Sequence, residues 1–403
     1  MPLLRDLKTM SGLVRSTLDR RQARIEWSRH EAVHHTADQK FEVVIFFADP
    51  PVNLYQVRQW YEPMRRLAEK HPVVVLTRDV LTAVALTREC PLPVVLQPTV
   101  AETEDWMARQ SVGIVFYVNQ NMTNFRMLRF RDPAHIFISH GESDKDYMAS
   151  NQLKAYDYTY IAGQAAYERI GRRLVDYDRD TRLVRVGRPQ VDVDYEGPAL
   201  PDDGRTVVLY APTWEGDRPS MRYSSLASHA GPMLDALLAT GTHRVIYRPH
   251  PRTGAFAPRY KELHRAVVAK LEAANRADPA AGHVVDTDSA FGWHLKAADV
   301  CVADISAVAF DWLATGKPLL LTEPADPATE VDREGIAGLL RTFRAEDAGN
   351  VLAAIDAVAD GGDHHRYQQI VERYFGDVTP GASLQRFVDA SDQILARRAA
   401  LRD

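Results

Sequence analysis

The chain has 403 residues, 45% of them apolar, with 49 Lys and Arg against 54 Asp and Glu and a formal net charge of −5. At roughly 100–200 residues per domain, this length points to two domains. The apolar share suffices for packed cores and excludes wholesale disorder, and the near-balanced charge excludes a dedicated nucleic-acid binder.

In chain order, residues 1–30 stand apart. Arg5, Lys8, Arg15, Arg20, Arg21, Arg24 and Arg29 outnumber Asp6, Asp19 and Glu26, and Leu3, Leu7, Met10, Val14, Leu18 and Ile25 recur at helical spacing. The spacing predicts a basic amphipathic helix. Such a helix suits an anionic membrane surface, or equally its own domain with a solvated basic face.

From Phe41 onward short apolar runs alternate with helix-like stretches. Strands are expected at Phe41–Phe47, Val73–Thr77, Val94–Gln97, Gly113–Asn119, His135–Ser139, Tyr158–Ala162 and Leu183–Gly187. These runs are rich in Val, Ile and Phe without strict alternation, which suits strands buried on both faces of a parallel sheet. The turn-rich segment Gly197-Pro198-Ala199-Leu200-Pro201-Asp202-Asp203-Gly204 reads as a linker. Strands then resume at Thr206–Ala211, Arg244–Arg248, His283–Val285, Asp299–Ala303 and Pro318–Thr322. The expected layout is an N-terminal helix over 1–30, two doubly wound α/β domains over 31–196 and 205–380, and a C-terminal helix over 381–403.

Cys90 and Cys301 make no disulfide framework and fit a reducing cytosol. No stretch reaches the ~18–20 apolar residues that span a bilayer, and no apolar signal core follows Met1. The expected location is cytoplasmic, on the inner face of the cell membrane where the first helix takes its membrane role.

Open parallel sheets bind ligands at the carboxyl ends of their strands. Four segments place polar residues there: Ser139-His140-Gly141-Glu142-Ser143-Asp144-Lys145, Tyr210-Ala211-Pro212-Thr213-Trp214, Arg248-Pro249-His250-Pro251, and Ala303-Asp304-Ile305-Ser306-Ala307. The first lies in the N-terminal domain and the others in the C-terminal one, which implies one cleft between two sheets. His140 can take a proton near neutral pH, Gly141 permits close approach, and Lys145 can pair with a phosphate or carboxylate. The flanking prolines hold His250 rigidly, and Arg248 offers a planar fork to the same anion. Ser306 opens an apolar helix whose first N–H groups attract phosphate. Asp304, if turned inward, repels that phosphate, so it is expected to orient the loop. Asp311 lies in the body of the helix.

Asp-x-Asp pairs at Asp178/Asp180, Asp192/Asp194 and Asp286/Asp288 read as loop residues, with Asp288 or Ser289 as a helix cap. His34/His35 and His364/His365 lack further ligands at metal spacing, so no metal is expected. No dinucleotide, P-loop or nucleophile-elbow signature occurs.

Taken together, the four segments resemble the CDP-glycerol glycerophosphotransferase family of wall teichoic acid and capsule synthesis, over roughly residues 135 to 325. The matching positions are His140, Gly141 and Lys145; Tyr210 to Trp214; Pro249 to Pro251; and Asp304, Ser306 and Asp311. The resemblance implies a GT-B architecture of two facing Rossmann-like domains, the C-terminal one holding the nucleotide donor. It further implies transfer of a polyol phosphate from a CDP-activated alditol to a hydroxyl of a polymer or lipid-linked acceptor, without metal or other cofactor. His140 and His250 are then the catalytic candidates. Lys145, Thr213, Arg248, Asp304, Ser306 and Asp311 fall on the donor's phosphates, with Gly141 and Trp214 in support.

Three departures mark this sequence. Glu142-Ser143-Asp144 replaces the family's Thr-Pro-Leu, Glu215 stands where a basic residue often follows Thr-Trp, and Ala303 and Ala307 lose hydroxyls. The donor is therefore open between CDP-glycerol, CDP-ribitol and another activated alcohol or sugar. Three alternatives accompany the main reading: a glycosyltransferase using a UDP- or GDP-sugar, a nucleotide-sugar 2-epimerase, and a non-catalytic nucleotide-binding subunit.

Overall fold

The structure is a computed structural model that describes residues 2–144, 146–287, 292–359 and 364–401; the side chains of 2–16, 146, 147 and 364 are not described. Lys145, Asp288 and Ser289 thus lie outside the described residues.

Among the described residues, seven strands build the first sheet: β1 (Val43–Phe47), β2 (Val73–Thr77), β3 (Val94–Leu96), β4 (Ile114–Tyr117), β5 (Ala134–Phe137), β6 (Tyr158–Ile161) and β7 (Leu183–Arg185). They run in the order β3-β2-β1-β4-β5-β6-β7, and every pairing is parallel. A second parallel sheet contains β8 (Thr206–Ala211), β9 (His243–Tyr247), β10 (Val284–Val285), β11 (Val300–Ala303), β12 (Leu319–Thr322) and β13 (Thr342–Phe343), in the order β10-β9-β8-β11-β12-β13. Each chain path starts mid-sheet and winds out both ways. Ligand-binding crevices of such sheets form at the reversal point, here β1/β4 and β8/β11. The two-residue β13 is too short to show in the sequence pattern.

Both faces of each sheet are covered, which explains the lack of polar alternation. Val43, Ile45 and Phe47 enter one core while Val44 and Phe46 enter another. The second sheet divides in the same way, with Leu209, Cys301 and Leu321 on one side and Val208, Val302 and Leu320 on the other. Helix starts follow ordinary capping: Asp79 accepts from Thr82 N at 3.0 Å, and Thr99 with Glu102 forms a capping box.

The C-terminal helix Ala382–Ala400 returns to the first domain. Its Phe387, Val388, Ile394 and Leu395 share a core with Trp60, Phe116 and Tyr160. Gly113 lies beneath it, and a Cβ there would stand 2.6 Å from Leu395 Cδ2, so that leucine side chain would have to shift. The first helix spans Pro2–His34. Its Ala23 and Trp27 pack on Val80 and Val84 of the helix Val80–Glu89, and Arg20 pairs with Asp79 at 2.7 Å. Leu18 and Ile25, 59% and 50% exposed, remain outside that contact, flanked by exposed Arg21, Arg24 and Arg29.

Candidate functional site

The two sheets meet through the loops that leave their carboxyl ends. His140 leaves β5, and His250 leaves β9. Tyr55, on the helical turn after β1, stands between them: its ring centroid lies 6.0 Å from that of His140 and 6.5 Å from that of His250. The two histidines therefore open onto one cleft.

Their backbone contacts fix opposite ring states. His140 Nδ1 lies 3.2 Å from the Val118 carbonyl, which can only accept, so Nδ1 carries the proton and the neutral ring presents Nε2 as an acceptor. His250 Nδ1 receives the Arg252 backbone N–H at 3.1 Å, so its neutral ring carries the proton on Nε2. In their neutral forms one ring thus offers an acceptor nitrogen and the other a donor.

The His140 loop is held tightly. Ser139 adopts φ 54°, a left-handed conformation that costs a non-glycine residue energy. Trp60 Nε1 donates to Ser139 O at 2.5 Å, and Ser139 Oγ donates to Gly141 O at 3.0 Å. A Cβ on Gly141 would come within 3.1 Å of Ala307 Cβ in the second domain, so glycine permits this approach. Beneath Tyr55, the buried Asp49 carboxylate accepts from Asn53 and Asn121 at 2.8 Å and from Asn119 at 2.7 Å. Asn119 follows Val118, so one carboxylate organises both the turn bearing Tyr55 and the carbonyl that orients His140.

In the second domain, Asp304 is fully buried and turned away from the cleft. Its carboxylate accepts from Thr213 N at 2.7 Å, Ser225 N at 3.1 Å and Thr322 Oγ1 at 2.6 Å, fastening the loop after β8 to the end of β11. Burial pushes its pKa up to about 6, with the hydrogen bonds from Ser225, Thr322 and Thr213 opposing the rise. Because the folded state then keeps this proton to higher pH than the unfolded chain, stability falls as pH rises from 3.8 to about 6. At about 1.4 kcal/mol per pH unit the fall is on the order of 3 kcal/mol. An Asn can accept the two N–H groups and donate to Thr322. Asp304→Asn is therefore expected to lose this part of the pH dependence when urea midpoints are compared from pH 4 to pH 7; parallel curves for the two proteins contradict it.

Ser306 Oγ is buried without a hydrogen-bond partner among the described residues, at the start of the helix Ala307–Leu313. Arg248 is paired with Asp286, which also accepts from Trp293 Nε1 at 2.9 Å. Trp214 carries the Arg252 guanidinium 3.9 Å above its ring. Asp311 is spoken for: Arg188 Nε donates to Asp311 Oδ1 at 2.6 Å, with both side chains buried.

The sequence departures have structural tasks. Glu142 and Asp144 do not face the cleft as loose negative charges, because buried Arg169 donates to both and Asp144 also accepts from Ile336 N at 2.8 Å and Tyr374 OH at 3.0 Å. Glu215 accepts from Gly254, Phe256 and Ala257 N–H groups, all at 2.9 Å. Burial alone would raise its pKa, but these N–H groups hold it below the ordinary carboxylate range. It thereby fixes the loop that follows His250. Tyr55, Asp49, Arg169 and Arg188 are missing from the candidates that the sequence suggests.

Two Rossmann-like domains closing one cleft define a GT-B-like fold. The wall teichoic acid polymerase TagF has the same fold, with a TM-score of 0.56 at 13% identity over 95% of this chain and 99% of that one. So do S. aureus MnaA in complex with UDP (0.51, 13%, 88% and 97%) and a glycosyltransferase from Rickettsia africae (0.50, 11%, 89% and 99%). At such identities the likeness is one of fold. No curated protein matches the sequence. Residues 134–326 match the family of CDP-glycerol:poly(glycerophosphate) glycerophosphotransferases, and that segment contains both histidines and all four strand-end loops. Over that segment the chain is similar to the CDP-glycerol glycerophosphotransferases.

Proposed function

We propose that the protein moves a polyol phosphate, glycerol phosphate or a close relative, from its CDP-activated form to a hydroxyl of a cell-wall or capsule polymer or a lipid-linked acceptor. The observation that carries this reading is the pair of oppositely polarised imidazoles on either side of Tyr55, one from each domain.

In this mechanism the acceptor hydroxyl gives its proton to His140 Nε2 as its oxygen attacks the phosphorus bearing the polyol. The bond from that phosphorus to the bridging oxygen breaks, and CMP leaves with the electron pair. His250 Nε2–H, Arg248 and Ser306 Oγ meet the negative charge on the diphosphate, and Thr213 and Trp214 line its side of the cleft. Preorganised donors of this kind stabilise charge without reorganisation in the transition state, so the reaction is proposed to need no metal. Asp304 and Asp311 serve through Thr213 and Arg188 rather than by touching phosphate. Lys145 keeps the phosphate role that the resemblance gives it.

The test is a thermal-shift panel of CDP-glycerol, CDP-ribitol, UDP-sugars and GDP-sugars, followed by turnover with and without a chelator. A ligand bound only by the native state at a hundredfold excess over Kd adds about 2.7 kcal/mol of stability. The expected result is stabilisation by a CDP-alditol and chelator-insensitive release of CMP. Stabilisation by a UDP- or GDP-sugar alone replaces this reading with a glycosyltransferase or, without acceptor, an epimerase. Binding without turnover across several acceptors leaves a nucleotide-binding subunit.

The first helix is proposed to rest on the inner face of the membrane through Leu18 and Ile25 with Arg21, Arg24 and Arg29. Among the described residues no helix is long and apolar enough to cross a membrane. Reversing the three arginines to glutamate is expected to abolish sedimentation with anionic vesicles; undiminished binding refutes the membrane role.

A further inference from the structure

Arg188 lies just after β7, 4% exposed, where the chain leaves the first sheet. Its guanidinium reaches three separate elements. Nε donates to Asp311 in the second domain at 2.6 Å, while Nη2 donates to Gln59 Oε1 at 2.6 Å and to the backbone carbonyl of His140 at 3.3 Å. Asp311 sits in the helix that Ser306 opens, and Gln59 precedes Trp60, which holds Ser139 O. The backbone of the base is thus gripped at Ser139 from its own domain and at His140 by a side chain ion-paired to the donor domain.

We propose that Arg188 is a positioning residue that couples placement of the His140 imidazole to docking of the Ser306 helix, with Asp311 as its partner; this rests on the transferase reading above. A planar fork suits the task, since one guanidinium can satisfy a carboxylate, an amide oxygen and a carbonyl at once. A lysine keeps the charge but presents a single ammonium on a flexible stem. When the domains part, Asp311 withdraws from Nε and the grip on His140 O loosens. The base is therefore set only while the donor helix is in place, so the acceptor is deprotonated against a seated donor rather than an empty cleft.

The test compares Arg188→Lys and Asp311→Asn with the native chain, by steady-state turnover and by amide hydrogen exchange. Displacement of a catalytic group by about 1 Å can cost about 10²-fold in rate. The expected result for Arg188→Lys is a kcat lowered about 10²-fold, a donor KM within about threefold of native, and faster exchange confined to residues 139–143 and 306–310. Asp311→Asn, which retains the shape and loses the charge, is expected to show the same pattern more weakly. Native kcat in Arg188→Lys overturns the proposal. So does a uniform fall in kcat, donor affinity and melting temperature, which marks a merely structural pair. If the native chain turns over no donor in the panel, the transferase reading fails, and the exchange comparison decides by itself whether the coupling exists.

Discussion

His140→Ala is expected to lower turnover by about 10²–10⁴-fold, the range contributed by a positioned general base, while the donor still raises the melting temperature as it does in the native protein. The split follows from where the two histidines come from. His140 belongs to the first domain and accepts through Nε2, because Val118 O occupies Nδ1. His250 belongs to the second domain and donates through Nε2, because the Arg252 N–H occupies its Nδ1. His250→Ala should therefore reduce donor stabilisation as well as turnover. Turnover with melting curves in the presence of CDP-glycerol separates the two. Unchanged turnover in His140→Ala removes the base assignment.

Arg169→Met is expected to give the largest loss of stability. Arg169 is 5% exposed and is paired with both Glu142 and Asp144, which are 7% and 9% exposed. Removing one partner of a buried ion pair leaves uncompensated charge and costs about 3–5 kcal/mol. Burial already pushes the Asp144 carboxyl above its ordinary range despite Arg169, so the loss of that cation is felt directly. Combining Arg169→Met with Glu142→Gln and Asp144→Asn should recover much of the loss, since no charge is then stranded. Urea unfolding of the single and triple variants measures both steps. A single variant within about 1 kcal/mol of native, well below the cost of a stranded charge, shows that the carboxylates reach water.

Much of this architecture is written in the order of the residues. Buried parallel strands leave unbroken apolar runs such as Val73–Thr77, and a strand-end rule locates His140, Thr213, His250 and Ser306 without coordinates. The same rule, carried to every strand, also picks out Asp49 after β1 and Arg188 after β7. Arg169 gives no such signal. It lies inside the helix Gln164–Arg173 beside Arg172 and Arg173, and only tertiary packing turns it inward toward Asp144. Asp304 and Asp311 show a related limit. Their spacing is visible in sequence, but whether the carboxylate faces a ligand or is taken up by a backbone N–H (Asp304) or a guanidinium (Asp311) depends on loops 91 and 123 residues away. Glu215 shows the same thing from the other direction: a residue that looks like a misplaced charge becomes a loop fastener once Gly254, Phe256 and Ala257 fold over it.

The return of Ala382–Ala400 to the first domain bears on how the molecule is made. Phe387 and Leu395 fill the space beside Trp60, and Trp60 in turn holds the carbonyl next to His140. During synthesis the opening half emerges with this seat empty and waits, with apolar surface open to chaperones, until that helix leaves the ribosome. The proposed base therefore gains this support only after both sheets have been translated, and a chain ending before residue 382 is expected to lack the packing beside Trp60 that steadies the His140 loop.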